Sequence, residues 1–238
     1  MITTIDNNVV KPPKLVLLDV YETILDMAEM EKRVNSVLGS KRGYIIWFEL
    51  FMQYSFVDNC TEQFNNFQSI ADATLRMASQ VLHSDISAEE IADILELMKH
   101  LPLKEGVQKG LSSLHDKNFR IAALTNSPEK IVTNRMERTG LISYFEKVLS
   151  AEHVKKYKPD FRVYRWATEE LKLDPAEIML VSAHGWDIAG AENAGMQTAY
   201  IEQGNQMLYP LAPVPHIRCK DLLDLCRKLG SPEGEKKN

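Results

Sequence analysis

The sequence predicts an α/β protein in which a doubly wound parallel sheet carries an inserted all-helical domain. Short, wholly apolar runs at residues 15–18, 121–124 and 178–181 are typical of strands buried on both faces of a parallel sheet. Between the first two runs, from about 27 to 101, apolar side chains recur instead at three- and four-residue steps, which is typical of helices. Alternating strands and helices after residue 103 complete the pattern.

The length of 238 residues fits a core with a smaller insert better than two full-sized domains. We predict a catalytic core formed by residues 14–26 and 102–229. The helical insert takes residues 27–101, and residues 1–13 and 230–238 form loose termini.

Individual elements follow from local signals. In the insert, one helix is predicted from the spacing of Phe64 to Val81, and another from the capping box of Ser87 and Glu90. Ser127 is the predicted N-cap of a core helix, with Pro128 at its first position. The other core elements predicted are strands at 147–149 and 197–201 and helices at 160–171 and 188–194.

Composition limits the partners. The formal net charge is −5, from 28 Lys and Arg against 33 Asp and Glu, and no segment forms a basic stripe, so neither nucleic acid nor an anionic membrane is the expected partner. No run approaches 18 apolar residues, which excludes a predicted membrane helix. Three cysteines without a CxxC pair and no secretory signal predict a cytoplasmic protein.

Polar residues follow the three clearest strands. Asp19, Thr125 and Ser182 come where the apolar runs end, and ligands of open parallel sheets bind at the carboxyl ends of the strands. Each residue alone is more often a helix cap or turn residue than a site residue. Together, with Lys158 and Asp187 nearby in the pattern, they predict a polar site at one edge of the sheet.

Four motifs carry a family resemblance. They are LLDVYET at 17–23, LTNS at 124–127, YKPD at 157–160 and VSAHGWD at 181–187. In this order and spacing they resemble the haloacid dehalogenase superfamily, and most closely the type II (S)-2-haloacid dehalogenases, over residues 14 to 224. The resemblance implies a Rossmann-like core with a helical cap.

The resemblance also implies roles for the motif residues. Asp19 would be a nucleophile that forms an ester, and Lys158 would hold it ionised. Ser182 and Asp187 would position or activate the water that cleaves the ester, and Thr23, which closes the first motif, belongs to the same catalytic group. The implied substrate-binding residues are Tyr21, Glu49, Phe67, Thr125, Asn126, His184 and Trp186.

Two positions bear on metal and leaving group. Phosphatases of this superfamily have a second aspartate two residues after the nucleophile, to protonate the departing alcohol, where this chain has Tyr21. Asp187 has no additional acid in its motif, and one carboxylate beside the nucleophile makes a poor Mg²⁺ site. We therefore predict a metal-independent enzyme without cofactor, with at most a weak Mg²⁺ site at Asp19 and Asp187.

Three positions depart from the dehalogenase pattern. Glu22 takes the place of a glycine, and His184 takes the place of an asparagine. Glu49 stands where the cap motif W-x-R has its halide-binding arginine, and a carboxylate there would repel the halide. Arg42, Arg76 or His184 would then have to replace that arginine.

These features predict hydrolytic dehalogenation of a short 2-haloalkanoic acid to the 2-hydroxy acid. Two alternatives stay open: a hydrolase of the same fold acting on another small carboxylate or phosphate ester, and a catalytically weak relative that binds a small anion. The expected partner is a small-molecule carboxylate, and the resemblance suggests a homodimer through the cap helices. Trp47, Phe48, Phe51 and Phe67 would either wall the substrate pocket or form the core of the cap.

Overall fold

A computed structural model describes residues 12–204 and 206–230. Most of the two predicted loose termini, residues 1–11 and 231–238, lies outside the described residues. The described chain has a parallel sheet covered by helices on both faces, with a group of four helices inserted after the first strand. The predicted fold class is therefore confirmed.

The sheet has six strands in the order β3-β2-β1-β4-β5-β6, and each neighbouring pair is parallel. The strands are β1 Leu15–Leu18, β2 Arg120–Thr125, β3 Lys147–Ser150, β4 Ile178–Ser182, β5 Gln197–Ile201 and β6 Ile217–Cys219. The strand order reverses between β1 and β4. This reversal opens a crevice at the carboxyl ends of the strands, where doubly wound folds bind their ligands.

The register of the central strands places their carboxyl ends at nearly the same height in the sheet. Leu18 of β1 pairs with Ala123 of β2 and with Val181 of β4. Asp19 and Ser182 therefore leave the sheet side by side, although 163 residues separate them along the chain. Parallel pairing thus brings the predicted polar residues to one edge.

The strand β1 is buried on both faces, as its apolar sequence predicts. Leu15 and Leu17 pack with Tyr164 and other residues on one face of the sheet, whereas Val16 and Leu18 join the larger cluster on the other face. All four are fully buried. This leaves the exit of the strand, where Asp19 lies, as the place at which a polar side chain meets a cavity.

Four helices make up the insert: α1 Ala28–Val37, α2 Gly43–Cys60, α3 Phe67–Val81 and α4 Ala88–Leu97. The capping box of Ser87 and Glu90 is present at the start of α4. Between the insert and the sheet, the two connecting segments pair with each other, since Leu25 and Leu103 form a bridge. The domain boundaries at residues 26 and 102 stay a prediction.

The core helices are α5 Val107–Asp116, α6 Glu129–Arg138, α7 Phe161–Leu171, α8 Gly185–Asn193 and α9 Leu222–Lys228. Two local predictions are corrected. The N-cap of α6 is Pro128 rather than Ser127, and α8 begins at Gly185, three residues before its predicted start. The elements α5, α9 and β6 were not predicted. Within the described residues, no helix is long and apolar enough to cross a membrane.

Candidate active site

Asp19 is the centre of the polar edge of the sheet. Its backbone N–H donates to the carbonyl of Val181 at 3.0 Å, which fixes the residue beside β4. The residue is 5% exposed. Its Oδ1 accepts a hydrogen bond from Lys158 Nζ at 2.8 Å, and its Oδ2 accepts hydrogen bonds from Thr23 Oγ1 at 2.8 Å and Ser182 Oγ at 3.3 Å.

Lys158 lies between two carboxylates. Its Nζ is 2.8 Å from Asp19 Oδ1 and 2.7 Å from Asp187 Oδ2, and it donates a third hydrogen bond to the carbonyl of Leu124 at 3.1 Å. Burial alone would lower the pKa of this ammonium, but the charges of Asp187 and Asp19 outweigh burial and raise it. The lysine is therefore a fixed cation with all three protons engaged.

The same contacts keep the nucleophile candidate charged. Burial acts to raise the pKa of the Asp19 carboxyl, but Lys158 and His184 hold it well below its ordinary value. A buried, ionised carboxylate that lines a cavity can attack a substrate carbon, because little water solvates it.

Asp187 supports Lys158 from behind. Its Oδ2 accepts from Lys158, and its Oδ1 accepts from the Tyr164 hydroxyl at 2.6 Å. The residue is fully buried and does not line the cavity. Burial, as the largest influence, raises the pKa of the carboxyl despite the opposing charge of Lys158. This position does not fit the predicted role in activating a water beside Asp19.

His184 joins Asp19 to Glu22. Its Nδ1 lies 3.1 Å from Asp19 Oδ2, and its Nε2 lies 2.9 Å from Glu22 Oε2. The ring is stacked between Phe48 and Trp186, with centroids 6.0 and 4.9 Å away. Burial acts to lower the pKa of the imidazole, but the hydrogen bonds and charges of the two carboxylates raise it to about 9.

Glu22 is held in turn by polar contacts on every side. Its Oε1 accepts from the Tyr44 hydroxyl at 3.1 Å, and its Oε2 also accepts from Gln206 Nε2 at 2.7 Å. Its backbone carbonyl accepts from Lys104 Nζ at 2.8 Å and from Gln203 Nε2 at 2.6 Å. The residue has φ 58°, in the left-handed region that favours glycine, so these contacts outweigh a conformational cost.

The polar rim is the set of hydrogen-bonded side chains at this edge of the sheet: Asp19, Glu22, Thr23, Lys158, Ser182, His184 and Asp187. It brings together all five predicted catalytic residues. Five side chains that hold it in place were not predicted, namely Tyr44, Lys104, Tyr164, Gln203 and Gln206. None of them belongs to a motif, and no local pattern distinguishes them.

A cavity of about 40 Å³ opens above Asp19. At roughly 10–15 Å³ for each water, it suits a substrate of only a few heavy atoms. From the core it is lined by Asp19, Tyr21, Thr125, Asn126, Lys158, His184 and Trp186. The predicted substrate-binding residues of the core therefore all lie on its wall.

The cap wall is the part of the cavity lining that the insert supplies: Met27, Trp47, Phe48, Phe51, Met52, Phe67 and Met98. Phe67 packs edge-to-face on Phe51 at 4.9 Å and stacks on Tyr21 at 6.0 Å. The indole of Trp47 donates to the carbonyl of Ala71 at 3.3 Å. These aromatic side chains both wall the cavity and pack the interior of the insert.

Glu49 is outside the cavity. It lies on the exposed side of α2, and the neighbouring Phe48 faces the cavity instead. The cavity therefore does not include Glu49, which was predicted to contact the substrate. Arg42 and Arg76 are also exposed, and Arg76 pairs with an acid on its own helix. Of the three cations considered as replacements for a cap arginine, His184 is the one on the cavity wall.

The donor set does not fit Mg²⁺. Lys158 bridges the facing oxygens of Asp19 and Asp187, so the space between the two carboxylates holds an ammonium. Asp187 Oδ1 is engaged by Tyr164, and the second acid of a phosphatase site is replaced by Tyr21. In the part of the chain that the structure describes, no three His, Cys, Asp or Glu side chains are grouped to hold a metal ion.

Comparisons with known proteins show which family the chain belongs to. The family model for haloacid dehalogenase-like hydrolases matches residues 48–201. An (S)-2-haloacid dehalogenase from Burkholderia cepacia is 27% identical over 203 residues, covering 84% of this chain and 88% of that protein. One from a Pseudomonas species, strain YL, is 26% identical over 204 residues, covering 85% and 88%.

A solved structure has the same fold. It is that of the L-2-haloacid dehalogenase from Xanthobacter autotrophicus with chloropropionic acid covalently bound. The TM-score is 0.81 at 22% sequence identity, and the match covers 90% of this chain and 97% of that one. At this identity the likeness establishes the arrangement of the sheet and the inserted helices.

Proposed function

The chain belongs to the haloacid dehalogenase-like hydrolase family, and on this premise we propose that it hydrolyses the carbon–halogen bond of a short 2-haloalkanoic acid through an ester at Asp19. The product is the 2-hydroxy acid. The relatives that it matches over more than four fifths of its length are named for this reaction. The homodimer and the cytoplasmic location stay predictions.

The observation that carries the proposal is the setting of Asp19. Its carboxylate lies at the floor of a small, mostly apolar cavity. Oδ1 accepts a hydrogen bond from Lys158, and Oδ2 accepts hydrogen bonds from Thr23 and Ser182. Such a carboxylate is poorly solvated and is held in a fixed orientation, and both conditions favour nucleophilic attack.

In the first step Asp19 displaces the halide. A lone pair of the carboxylate forms a bond to C2 of the substrate, and the halide departs with the electron pair of the carbon–halogen bond. Because halide leaves as a stable anion, no proton donor is needed. In the second step water attacks the ester carbonyl and the 2-hydroxy acid is released.

The cavity also suits the two ends of the substrate. Thr125 and Asn126 lie on its wall, and the Asn126 side chain is held by a hydrogen bond from the backbone N–H of Lys158 at 2.8 Å. These residues are proposed to bind the substrate carboxylate. The ring edges of the cap wall carry partial positive charge, and they are proposed to face the departing halide.

A phosphate ester fits this site less well. Tyr21 occupies the place of the general acid, its hydroxyl donates to Ser127 Oγ at 3.3 Å, and burial raises its pKa. A phenol held in this way does not protonate an alkoxide at neutral pH as readily as a carboxylic acid. Lys158, in addition, occupies the space between the carboxylates that a metal ion would need.

The test is isotope incorporation. Purified protein is incubated with 2-chloropropionate or 2-bromopropionate in ¹⁸O-water, and the peptide that contains Asp19 is analysed by mass spectrometry. We expect ¹⁸O in that peptide after one turnover. Label found solely in the product, under both single and multiple turnover, contradicts the ester.

A chelator provides the second arm. Activity on the haloacid should be unchanged by EDTA and by added Mg²⁺, because the positive charge at the site is supplied by Lys158. Phosphomonoesters are assayed in parallel. Hydrolysis of a phosphomonoester that stops in EDTA and returns with Mg²⁺ would favour the phosphatase alternative.

A further inference from the structure

The two oxygens of Asp19 have different surroundings. Oδ1 accepts one hydrogen bond, from Lys158. Oδ2 is approached by three donors: Thr23 at 2.8 Å, His184 at 3.1 Å and Ser182 at 3.3 Å. A carboxylate oxygen with three donors has little electron density left for attack. The geometry therefore singles out Oδ1 as the reacting oxygen.

The proton positions around Oδ2 follow from the neighbours. The Thr23 hydroxyl accepts the backbone N–H of Ala183 at 3.1 Å, and the Ser182 hydroxyl accepts the backbone N–H of His184 at 3.1 Å. Each hydroxyl therefore directs its own proton to Asp19. Since Oδ2 is an acceptor in both contacts, Nδ1 of His184 meets it as a donor as well.

The other ring nitrogen meets an acceptor too. Nε2 of His184 faces Oε2 of Glu22, and that carboxylate already accepts from Tyr44 and Gln206. With an ionised carboxylate at each nitrogen, the ring carries both protons and a positive charge. This assignment agrees with the raised pKa of the imidazole.

We propose that Oδ1 of Asp19 is the nucleophilic oxygen and that Thr23, Ser182 and His184 form an oxyanion hole around Oδ2, with Glu22 keeping His184 charged. The inference rests on the ester mechanism proposed above. His184 is a catalytic residue in the second step, and Glu22 is a positioning residue that acts through it.

Hydrolysis of the ester regenerates the carboxylate of Asp19. After displacement, Oδ1 carries the substrate carbon and Oδ2 is the carbonyl oxygen of the ester. Water bonds to Cγ, and the carbonyl π pair moves to Oδ2, where the three donors stabilise the negative charge. When the pair returns, the bond from Cγ to Oδ1 breaks. The product keeps Oδ1 and one proton of the water, and the other proton passes from the regenerated carboxyl to solvent.

His184 stays positively charged after the ester forms, because two carboxylates, not one, stabilise its charge. The groups that face the imidazole directly are Asp19 and Glu22, with Lys158 beyond Asp19 and Lys104 at the backbone of Glu22. Esterification removes the charge of Asp19 but leaves that of Glu22. The imidazolium therefore lies beside Oδ2 in the transition state of ester hydrolysis, where negative charge develops on that oxygen.

The first experiment separates the two chemical steps. Wild type, His184→Leu, which has no donor, and Glu22→Gln are mixed with 2-bromopropionate and quenched in acid at short times, and the esterified fraction is measured by mass spectrometry. We expect ester hydrolysis to slow about a hundredfold in His184→Leu, as on loss of one oxyanion-hole donor, and ester formation to change less than tenfold. The ester should therefore accumulate in this variant.

The matched control is Glu49→Gln, the same change of charge at an exposed position outside the cavity. It should behave as wild type in both steps. Thermal melting of each variant identifies any that fails to fold. Glu22→Gln, which keeps the size of the side chain but removes its charge and one of its two acceptor oxygens, is the second test of the same inference.

The pH profile tests the charge itself. Ester hydrolysis should be constant through neutral pH and fall as pH rises and His184 loses its proton, and Glu22→Gln should shift this fall to lower pH. A hydrolysis rate that rises with pH through the neutral range, and loses that rise in His184→Leu, would make the histidine a general base and overturn the oxyanion-hole role. If no ester forms in any variant, the proposed function itself fails instead.

Discussion

The polar rim and the cap wall face each other across the cavity and are built on different principles. In the polar rim, the carboxylate oxygens of Asp19 and Asp187 all accept hydrogen bonds at 2.6–3.3 Å. In the cap wall the side chains are apolar and are placed by packing, with ring centroids about 5–6 Å apart. Directional contacts fix atoms to within tenths of an ångström, whereas packing fixes shape and volume.

Because of this difference, we expect the polar rim to carry the chemical steps and the cap wall to select the substrate. The polar rim extends from the ends of β1 and β4, so its geometry depends on the sheet. The cap wall depends on how α2 and α3 pack, and these helices touch the core near the site as well. Asn59 of α2 exchanges hydrogen bonds of 2.7 and 2.9 Å with the backbone of Tyr157, the residue before Lys158. We therefore expect changes in the rim to affect kcat and changes in the wall to affect KM.

The largest expected effect comes from the nucleophile. Asp19→Asn should lower kcat by at least about 10⁴-fold, because a carboxamide does not form the ester. Asp58→Asn makes the same change at a buried aspartate of the insert, whose carboxylate accepts hydrogen bonds from Asn65. That control should lose stability rather than chemistry. Steady-state kinetics with melting curves compare them, and similar losses of kcat would contradict the separation.

The next largest effect is expected in the pH dependence of the free energy of unfolding. The pKa of His184 is raised from 6.5 to about 9 in the folded chain, so its contribution is complete below pH 6.5 and is lost as pH rises through about 9. The linked free energy is roughly 3 kcal/mol. The difference in Tm between wild type and His184→Asn should therefore shrink between pH 7 and pH 10.

The control for this measurement is His115→Asn, which changes an exposed histidine. Its Tm difference from wild type should be small and constant over the same range. A wild-type advantage over His184→Asn that grows with pH would mean that the buried imidazole is neutral.

A smaller effect is expected in the cap wall. Phe67→Leu removes ring contacts to Phe51 and Tyr21 and enlarges the cavity. We expect KM for 2-chloropropionate to rise about tenfold, since one misfitted apolar group is worth about 1–3 kcal/mol, with kcat changed less than threefold. Phe64→Leu is the matched control, because Phe64 stacks on Tyr157 and does not line the cavity. A fall in kcat without a rise in KM would assign Phe67 to the chemistry.

The smallest effect is expected at Glu49. Because this side chain points away from the cavity, Glu49→Arg should change kcat and KM for 2-chloropropionate by less than about twofold. Rate measurements at low and high salt are enough to test this. A large gain in kcat would mean that α2 rotates during turnover to present position 49 to the halide.

The sequence by itself determined the fold class and the centre of the site. The strands are short, apolar and local, so residues 15–18 and 178–181 identify them without tertiary information. Asp19 and Ser182 follow them directly, and parallel pairing must then bring both to one edge. Lys158 was found through its motif, because nothing local shows that a lysine beside a proline is buried.

Only the tertiary structure decided which side chains meet. The helix α2 is apolar on nearly all of its faces, so its periodicity could not show that Phe48 faces the cavity and Glu49 faces solvent. Glu22 and His184 are 162 residues apart, and each looked like a separate departure from a pattern. Their hydrogen bond makes them one unit, because a buried charge is stable only with a partner, and the sheet supplies that partner from a distant part of the chain.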